Sequence, residues 1–317
     1  MIIIDKNQIK HLLNDLDLKQ SIIKGFIDYS AGKCVIPPIG ELLFKNPPGD
    51  VHIKYGYIIN GKYYVIKIAS GFPMNEENNI SNGQGLMLLF NQKTGEPLAT
   101  LLDDAMLTEI RTAIAGLICA EKFSNNIKNI GVLGTGNQAR LQVQFLKRMT
   151  DCRSVSLWGR NKKKAEQYKS DMSNYNFNVK IFDSPQEIAK NSNLIITATA
   201  SEIPLLKSED IKIGTHITAL GADTPVKNEL DTSILKRADM IIVDSISQCK
   251  ERGEIFHALS RKDITLNSVN ELGSILSGDI KGRTSKDQIT VADLTGVAVQ
   301  DLKIAEAVYE KFLEVYK

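Results

Sequence analysis

The sequence predicts an α/β protein in which a doubly wound parallel sheet is inserted into a second, α+β domain. Its 317 residues exceed one typical domain. From Lys128 onward, short apolar runs alternate with helical stretches, which is typical of parallel strands joined by right-handed crossovers. The last helical segment is expected to return to the first domain. We therefore expect an outer domain over 1–118 plus 294–317 and an inserted domain over 119–293.

The outer domain is predicted to begin with a strand within Met1–Asp5, followed by a helix and then by antiparallel strands. Apolar residues recur with helical spacing from Asp5 to Ile27. Asn60-Gly61 and Thr94-Gly95 mark turns, because both residues of an Asn-Gly pair tolerate positive φ. A long helix is expected from about Leu107 to Phe123, with Thr108 as its N-cap. The strand candidates of this domain are Val51–Ile59, Tyr63–Ser70, Gly85–Asn91 and Pro97–Asp103.

Short apolar runs predict the strands of the inserted domain. Ser184-Pro185-Gln186-Glu187 predicts a capping box with proline at the first helical position. A helix over about Val297–Tyr316 is expected to end the chain. The runs are Asn129–Leu133, Ser154–Trp158, Val179–Phe182, Leu194–Thr197, His216–Leu220 and Met240–Val243.

A glycine motif follows the first of these strands. Gly134-Thr135-Gly136-Asn137-Gln138-Ala139 has the form G-x-G-x-x-A and opens a helix over about Ala139–Arg148. Gly134 permits a tight turn, Gly136 a close approach of the backbone to a pyrophosphate, and Ala139 close packing of helix and strand. The amide groups and dipole of the helix start would bind the phosphates. This context predicts a Rossmann-type dinucleotide site, and a glycine-rich turn of another α/β protein is the alternative.

The end of the second strand predicts which dinucleotide is preferred. An acidic residue there binds the ribose of NAD, whereas an arginine accommodates the 2′-phosphate of NADP. Trp158-Gly159 is followed by Arg160 and Asn161 and by no carboxylate, so NADP(H) is slightly favoured over NAD(H). The alternative is that Arg160 faces solvent and that NAD binds through the backbone. Polar strand ends are expected to line the nicotinamide and substrate crevice, and they are Thr197-Ala198-Thr199, Gly221-Ala222-Asp223 and Asp244-Ser245.

Three charged side chains are candidates for substrate chemistry. Asp223 follows an apolar strand, where a carboxylate can exchange a proton with an amine or imine nitrogen. Its alternative role is to cap a helix at the Thr224-Pro225 turn. Lys67 interrupts an apolar strand, so it either faces water or reaches an anionic ligand. Arg111, one turn into its helix, could hold a carboxylate or form an ordinary surface ion pair.

Composition excludes several classes of function. A net charge of +2 gives no indication of nucleic-acid binding. No apolar run approaches the roughly 18 residues of a membrane span, and the amino terminus lacks the features of a signal peptide. Four scattered cysteines are typical of a cytoplasmic protein without disulfides. Because the four histidines share no ligand spacing, we expect no metal site.

Taken together, these residues resemble the ornithine cyclodeaminase/mu-crystallin family over nearly the whole chain. The resemblance implies a Rossmann domain plus a substrate-binding and dimerisation domain, in a homodimer whose sheets join across a two-fold axis. It implies Lys67 and Arg111 as carboxylate ligands and Asp223 as the acid/base. The landmarks are Ile66-Lys67, Leu107–Ala113, Gly131–Ala139, Thr197–Thr199, Leu220–Asp223 with Glu229-Leu230, Gly253–Ile255 and Thr295–Asp301. Residues implied to lie near the dinucleotide are Gly134, Thr135, Gly136, Asn137, Gln138, Arg160, Thr197, Ala198, Asp244 and Val297.

One stretch departs from the family pattern. Many members carry an arginine after a proline in the first domain, and none is present in Val35–Glu41. Lys54 is a candidate substitute for it. The resemblance extends to a branch of the family that includes proteins of ectoine breakdown.

The resemblance implies three possible activities in amino-acid metabolism. The first is an NAD(P)-dependent oxidoreductase acting on the carbon–nitrogen bond of a small amino acid or cyclic imine, as an imine reductase or alanine-type dehydrogenase. The second is a cyclodeaminase that acts on ornithine or a related diamino acid, releases ammonia and recycles the hydride of its bound NAD. The third is an NADP-dependent binding protein without turnover, against which the presence of Asp223 argues.

Overall fold

The computed structural model describes residues 1–78 and 80–316, which form two compact units. One unit comprises Met1–Arg111 and Val297–Lys317, and the other comprises Thr112–Gly296. The chain passes from the first unit to the second between Arg111 and Thr112, within one helix. It returns to the first unit at Val297, which directly precedes another helix. The two units are described separately below.

A seven-stranded sheet forms the centre of the first unit. Its strands are β1 (Ile2–Ile4), β2 (Cys34–Val35), β3 (Gly40–Lys45), β4 (Pro48–Ile58), β5 (Tyr63–Gly71), β6 (Gly83–Asn91) and β7 (Pro97–Leu101). Their order is β1-β7-β6-β5-β4-β2, and β3 pairs with β4. The pairing of β1 with β7 is parallel, and the other pairings are antiparallel. The antiparallel strands predicted from the sequence are confirmed, although β2 and β3 were not predicted.

The first predicted helix is two helices. They are α1 (Lys6–Leu13) and α2 (Leu18–Ser30), and the Asp17 side chain accepts a hydrogen bond from the amide of Lys19 at the start of α2. Aspartate and asparagine side chains compete with the helix for backbone groups. Asn14, Asp15 and Asp17 therefore interrupt a helical pattern that the apolar residues alone would continue. A short 3-10 helix also occurs at Pro73–Asn78.

The long helix α3 (Met106–Phe123) does not begin as predicted. Thr108 lies inside the helix, so its prediction as N-cap is wrong. The Asp103 carboxylate accepts the amide of Leu107 at 2.8 Å instead. Asp104 and Ala105 adopt positive φ, at 49° and 64°, which turns the chain so that Asp103 reaches the helix start.

The last helix, α11 (Ala298–Tyr316), packs on α2 and on the face of the sheet formed by β4, β5 and β6. Gly25 of α2 permits the close approach of the two helices, because a Cβ atom there would lie 2.9 Å from Cγ of Lys303. The buried face of the sheet is apolar under this helix and includes Val65 and Leu89. Its other end is charged and forms part of the candidate site described below.

The second unit contains an eight-stranded parallel sheet in the order β10-β9-β8-β11-β12-β15-β13-β14. Its strands are β8 (Ile130–Leu133), β9 (Ser154–Trp158), β10 (Asn178–Ile181), β11 (Leu194–Thr197), β12 (His216–Ala219), β13 (Met240–Val243), β14 (Val269–Glu271) and β15 (Thr290–Asp293). The predicted doubly wound sheet is confirmed. Two strands were not predicted, because β14 and β15 are short and carry polar residues. Nevertheless, β15 lies in the interior of the sheet between β12 and β13.

Helices cover this sheet over two apolar clusters, one of which includes Ile195 and Val291 and the other Val132 and Tyr168. Ser184 and Pro185 occupy the predicted cap and first-turn positions of α6 (Pro185–Asn191), but the predicted capping box is absent. The Ser184 hydroxyl donates to the Glu187 carboxylate at 3.1 Å instead of accepting a backbone amide. The helices are α4 (Asn137–Leu146), α5 (Lys162–Ser173), α6 (Pro185–Asn191), α7 (Thr232–Arg237), α8 (Ile246–Cys249), α9 (Gly253–Ser260) and α10 (Leu272–Leu276), with 3-10 helices at Ser208–Asp210 and Leu266–Ser268.

Across residues 1–78 and 80–316, no helix combines the length and the apolar character needed to cross a membrane. Within the same residues, no group of three or more histidine, cysteine, aspartate or glutamate side chains is arranged to hold a metal ion.

Candidate active site

The glycine motif forms the turn from β8 into α4. Gly134 has a φ of 121°, and a Cβ atom there would collide with the carbonyl oxygen of Ala198. Gly136 is the N-cap of α4, and no side chain caps the first amides of this helix. A Cβ atom on Gly136 would meet nothing within 4 Å. Ala139 is fully buried against the sheet.

This turn fits the pyrophosphate of a dinucleotide. The start of α4 offers backbone amides and the positive end of a helix dipole beside exposed Gly136 and Asn137. On the neighbouring strand, Gly159 follows β9, and a Cβ atom there would collide with the Thr135 side chain. The predicted dinucleotide-binding residues Gly134 to Ala139 thus form one continuous turn and helix start. Arg140 donates to the carbonyl oxygens of Thr135 and Gly136, which fixes the outer side of the turn.

Arg160 and Asn161 lie beyond the end of β9, as predicted for a cofactor phosphate site. Arg160 is exposed. Asn161 is the N-cap of α5, where its side-chain oxygen accepts the amide of Lys164 at 3.2 Å. The ammonium of Lys162 lies 3.0 Å from the Asp183 carboxylate. Arg160 thus presents an exposed cation just after β9, whereas the neighbouring Lys162 is engaged by Asp183.

The polar ends of β11 and β12 converge on Glu229, a residue to which sequence reasoning assigned no role. One carboxylate oxygen accepts the Thr197 hydroxyl at 2.7 Å and the Gly221 amide at 2.9 Å. The other accepts the Thr199 amide at 2.6 Å and the Thr199 hydroxyl at 2.7 Å. Burial raises the pKa of Glu229, and these donors oppose the shift. Thr197 is fully buried, and its hydroxyl is engaged by Glu229, so its role beside the cofactor stays a prediction.

Further carboxylates are buried behind these strand ends. Glu254 accepts the amides of Glu229 and Leu230 at 2.8 and 3.0 Å, and burial raises its pKa well above the ordinary value. Asp293, at the end of β15, accepts the amide of Ile255 at 2.9 Å, and burial raises its pKa to about 8. Together with Glu229, they hold the loops that follow the strands.

The third predicted strand end, Asp244-Ser245 after β13, is also buried. Asp244 is buried and accepts the Gly296 amide at 2.5 Å and the Thr295 hydroxyl at 3.1 Å. Ser245 is buried and caps the short helix α8. Both side chains therefore support the chain around them. Whether either lines a cofactor remains a prediction.

Asp223 lies four residues after the end of β12 and remains half-exposed. Its carboxylate lies 2.6 Å from the ammonium of Lys227, whereas its backbone carbonyl accepts a hydrogen bond from Arg252 at 3.2 Å. No described helix begins at Thr224-Pro225, so the alternative role of Asp223 as a helix cap is wrong. An ionisable group at a strand end, held by a cation but reachable from outside, suits proton exchange with a bound molecule.

In the first unit, Lys54 of β4 and Lys67 of β5 are cross-strand partners. They are 7% and 2% exposed. The alternative that Lys67 faces water is therefore wrong. The two lysines therefore lie on the buried face of the sheet as direct partners in register.

Arg111 is buried in the same unit and bound by α11. Its Nε lies 2.9 Å from Asp301, and its Nη1 lies 3.4 Å from the side-chain oxygen of Gln300. The predicted alternative of a surface ion pair is thus wrong, since both partners are buried. The Gln300 side chain also accepts the amide of Val297, which is itself buried. Asp301 consequently orients the guanidinium of Arg111 from one side.

Asp103 connects these cations. Burial raises its pKa to about 6, and the nearby charge of Asp301 adds to the shift, whereas Lys67 opposes it. Lys67, Asp103, Asp301 and Arg111 therefore form one electrostatic group in this unit.

Comparison with known proteins decides the family. The profile of the ornithine cyclodeaminase/mu-crystallin family matches residues 2–315. The chain belongs to this family. The family resemblance predicted from the sequence is thereby confirmed.

Relatives of this family member include both reaction types. An uncharacterised cyclodeaminase of Sinorhizobium fredii is 34% identical over 87% of this chain and 84% of its own. The solved structure of an archaeal alanine dehydrogenase dimer with bound NAD has a TM-score of 0.89 and 32% identity, covering 99% of this chain and 96% of that one. The Delta(1)-pyrroline-2-carboxylate reductase of Thermococcus litoralis, in complex with NADH and L-proline, has a TM-score of 0.92 and 25% identity, covering 99% and 98%.

Proposed function

We propose that this family member is an NAD(P)-dependent oxidoreductase acting on the carbon–nitrogen bond of a small amino acid or imine. The observation that carries the proposal is the pair of features at the edge of one parallel sheet. An uncapped helix start follows the glycine turn, and the half-exposed carboxylate Asp223 follows β12. The relatives that reduce imines or oxidise amino acids with NAD(H) support it.

The second unit would hold the dinucleotide. Gly134 to Gln138 would bind its pyrophosphate through backbone amides at the start of α4. Ala198, Thr199 and Gly221 at the ends of β11 and β12 would lie along it, in positions that Glu229 fixes. When bound, the nicotinamide supplies hydride to an imine carbon or accepts it from an amine carbon.

The first unit would hold the substrate carboxylate. Lys67 and Arg111 supply the positive charge, and Asp301 and Gln300 hold the guanidinium in one orientation. Charge-assisted hydrogen bonds to a carboxylate are about twice as strong as neutral ones, so two such groups can fix the orientation of a small substrate.

Asp223 would exchange the proton. In its protonated form it donates to the imine nitrogen, and as a carboxylate it accepts a proton from the substrate ammonium. Lys227, 2.6 Å away, stabilises the carboxylate form and holds it in place.

Replacing Asp223 by Asn tests this role. The amide keeps the size of the side chain but cannot exchange the proton, so we expect turnover to fall by about 100-fold or more. The measurement is the absorbance change at 340 nm. Each reduced cofactor, NADH or NADPH, is tested with pyruvate plus ammonium and, separately, with pyrroline-2-carboxylate. Cofactor affinity should remain unchanged, and Asp210→Asn, a change in the same unit, serves as control. Undiminished turnover in Asp223→Asn would remove Asp223 from the mechanism.

For the cofactor we propose a preference for NADP(H), carried by Arg160. The solved relatives bind NAD or NADH, so the two dinucleotides must be compared directly. Arg160→Ala should weaken NADPH binding about 10-fold or more and leave NADH binding within about 2-fold, because only NADPH carries the 2′-phosphate. Lys163→Ala, an exposed cation on α5, is the control. Equal losses for both cofactors would contradict the proposal.

A cyclodeaminase is the second candidate, since the relative in Sinorhizobium fredii carries that name. Such an enzyme would release ammonia from a diamino acid without net change at 340 nm. Incubation with ornithine and catalytic NAD, followed by an ammonia assay, separates the two activities. We further propose that the chain acts as a homodimer, supported by the dimeric alanine dehydrogenase.

A further inference from the structure

The loop that carries Asp223 follows β12 and is held at two points by the start of one helix, α9. The carbonyl oxygen of Asp223 accepts a hydrogen bond from Arg252 at 3.2 Å. The carbonyl oxygen of Lys227 lies 2.9 Å from Nε2 of His257. Because a carbonyl oxygen only accepts, His257 donates through Nε2. Arg252 is the N-cap of α9 and His257 lies just over one turn into it, so this helix start contacts both ends of the segment 223–227.

The ion pair between Asp223 and Lys227 spans this segment. The two charged atoms lie 2.6 Å apart, and the side chains are 38% and 20% exposed, respectively. Ion pairs exposed to this degree contribute little by themselves, because water screens them and both side chains lose rotamer freedom. The segment is not helical, so no helical spacing brings positions 223 and 227 together. The close contact therefore depends on what fixes the backbone at its two ends.

The start of α9 is itself bound to the strand beside β12. The amide of Ile255 donates to Asp293, at the end of β15, at 2.9 Å. Gly253 has a φ of 86°, and a Cβ atom there would lie 2.6 Å from Oδ2 of Asp293. Strands β15 and β12 are paired in one sheet. The loop after β12 and the helix that holds it are thus attached to neighbouring strands of the same rigid sheet.

The chain that follows the segment is anchored separately. Glu254 accepts the side-chain amide of Asn228 at 2.7 Å and the backbone amides of the next two residues. The backbone amide of Asn228 donates to the carbonyl oxygen of Ser201 at 2.7 Å. A change at His257 should therefore act on the segment before Asn228 and leave residues 228–230 in place.

We infer that His257 is a positioning residue for the proposed reaction. It holds the backbone of Lys227 so that the ammonium of Lys227 meets the carboxylate of Asp223, and Arg252 fixes the other end of the segment. The inference rests on the proposed function, in which Asp223 exchanges the proton. A displacement of about 1 Å can lower a rate by about 100-fold, so this restraint bears directly on turnover.

Variants of His257 that keep or lose one hydrogen bond test the inference. His257→Leu lacks the donor, whereas the amide of His257→Gln can reach the same carbonyl oxygen. We expect kcat for imine reduction to fall about 10-fold or more in His257→Leu and to stay within about 3-fold of the wild type in His257→Gln. KM and the Kd of the cofactor should change by less than about 2-fold in both. His257→Asn, whose amide is too short to reach, should behave as His257→Leu.

Ser260→Ala is the matched control. The Ser260 hydroxyl donates to the carbonyl oxygen of Phe256 at 2.8 Å, within α9 and away from the loop, so its loss should leave kcat at the wild-type value. A double variant tests the path through Lys227. Lys227→Met should itself lower kcat, and adding His257→Leu should lower it by less than about 2-fold further. Losses that multiply in the double variant, or equal losses in His257→Leu and His257→Gln, would overturn the inference.

Hydrogen–deuterium exchange separates the inference from the proposed chemistry. Amides of 223–227 should exchange faster in His257→Leu than in the wild type and in Ser260→Ala, whereas those of β12 and of 228–230 should not change. If exchange rises in this way but the wild type turns over no imine or amino acid, the proposed function is wrong and the restraint by His257 stands. Faster exchange with an unchanged kcat would overturn the inference and leave the proposed function standing. Unchanged exchange of 223–227 would overturn it whatever the turnover.

Discussion

At the scale of single residues, the structure separates side chains that can meet a ligand from those that hold others in place. Asp223 and Lys67 could be selected from the sequence, because an ionisable residue beside an apolar strand is unusual. Glu229 could not be selected in this way. Its partners Thr197 and Thr199 lie about 30 positions earlier, and only the parallel pairing of β11 with β12 brings the strand ends to one place.

Thr197 shows that the direction of a side chain at a strand end is also hard to predict from the sequence. Its position at the end of β11 predicted a residue that lines the cofactor, yet its hydroxyl is directed to Glu229. The sequence specifies where a strand ends, whereas the direction of the last side chain depends on a buried partner far along the chain.

Asp301 is predicted to act through Arg111. Asp301→Asn removes the charge that holds the guanidinium at 2.9 Å, so Arg111 should bind the substrate carboxylate less well. We expect the KM for the amino acid or imine to rise about 10-fold, with a smaller change in kcat and no change in the Kd of the cofactor. Steady-state kinetics and fluorescence titration with reduced cofactor measure these quantities.

Asp104→Asn is the matched control, because Asp104 forms a half-exposed ion pair with Lys6 at 3.1 Å. Such pairs contribute little, and its KM should stay at the wild-type value. A KM of Asp301→Asn equal to that of the control would exclude a positioning role.

At the scale of elements, the strands that apolar runs define were predicted closely, whereas helix starts were not. β9, β11 and β13 begin and end at the predicted residues. α3 was assigned to the wrong cap because positive φ at Asp104 and Ala105 cannot be foreseen from residues that rarely adopt it. The break between α1 and α2 was missed because apolar periodicity continues through it.

The two candidate caps of α3 predict losses of stability of different size. Asp103→Ala removes the acceptor of the Leu107 amide and should lower the free energy of unfolding by about 1–2 kcal/mol. Thr108→Ala should lower it by less than about 0.5 kcal/mol, since Thr108 lies within the helix. Urea unfolding followed by circular dichroism measures both. A larger loss for Thr108→Ala would restore the sequence-based assignment.

At the scale of the whole molecule, the division into an interrupted outer unit and an inserted unit follows from the chain order of apolar runs and the final helix. The domain bounds predicted from the sequence stay a prediction. In the structure, the chain passes from one compact unit to the other after Arg111 and returns after Gly296. Internal strand β15 could not be predicted, because its short polar-ended sequence resembles a loop until β12 and β13 flank it.

The buried carboxylates of the second unit should make its stability depend on pH. Burial, together with the charges of Asp244 and Glu229, raises the pKa of Asp293 to about 8, well above the ~3.9 of an unfolded aspartate. The folded state therefore binds this proton more tightly. The corresponding stability is fully present below about pH 4 and is lost as pH rises through about 8.

Asp293→Asn removes this titration and keeps an oxygen for the Ile255 amide. The loss of Tm between pH 6 and pH 9 should be smaller in this variant than in the wild type. Asp287→Asn, at an exposed position of the same unit, should behave as the wild type. A variant whose Tm falls as steeply as that of the wild type would show that Asp293 does not titrate in this range.

The most direct test of the central claim follows a labelled hydride. Reduced cofactor with deuterium at both C4 positions of the nicotinamide is incubated with the protein and either ammonium plus a 2-oxo acid or pyrroline-2-carboxylate, and the amino acid formed is analysed by mass spectrometry. If the nicotinamide transfers deuteride to the carbon of the C–N bond, each amino acid should carry one deuterium at Cα. One equivalent of oxidised cofactor should form per amino acid. Amino acid formed without deuterium, or no amino acid from any 2-oxo acid or from pyrroline-2-carboxylate while the cofactor binds, would contradict the account.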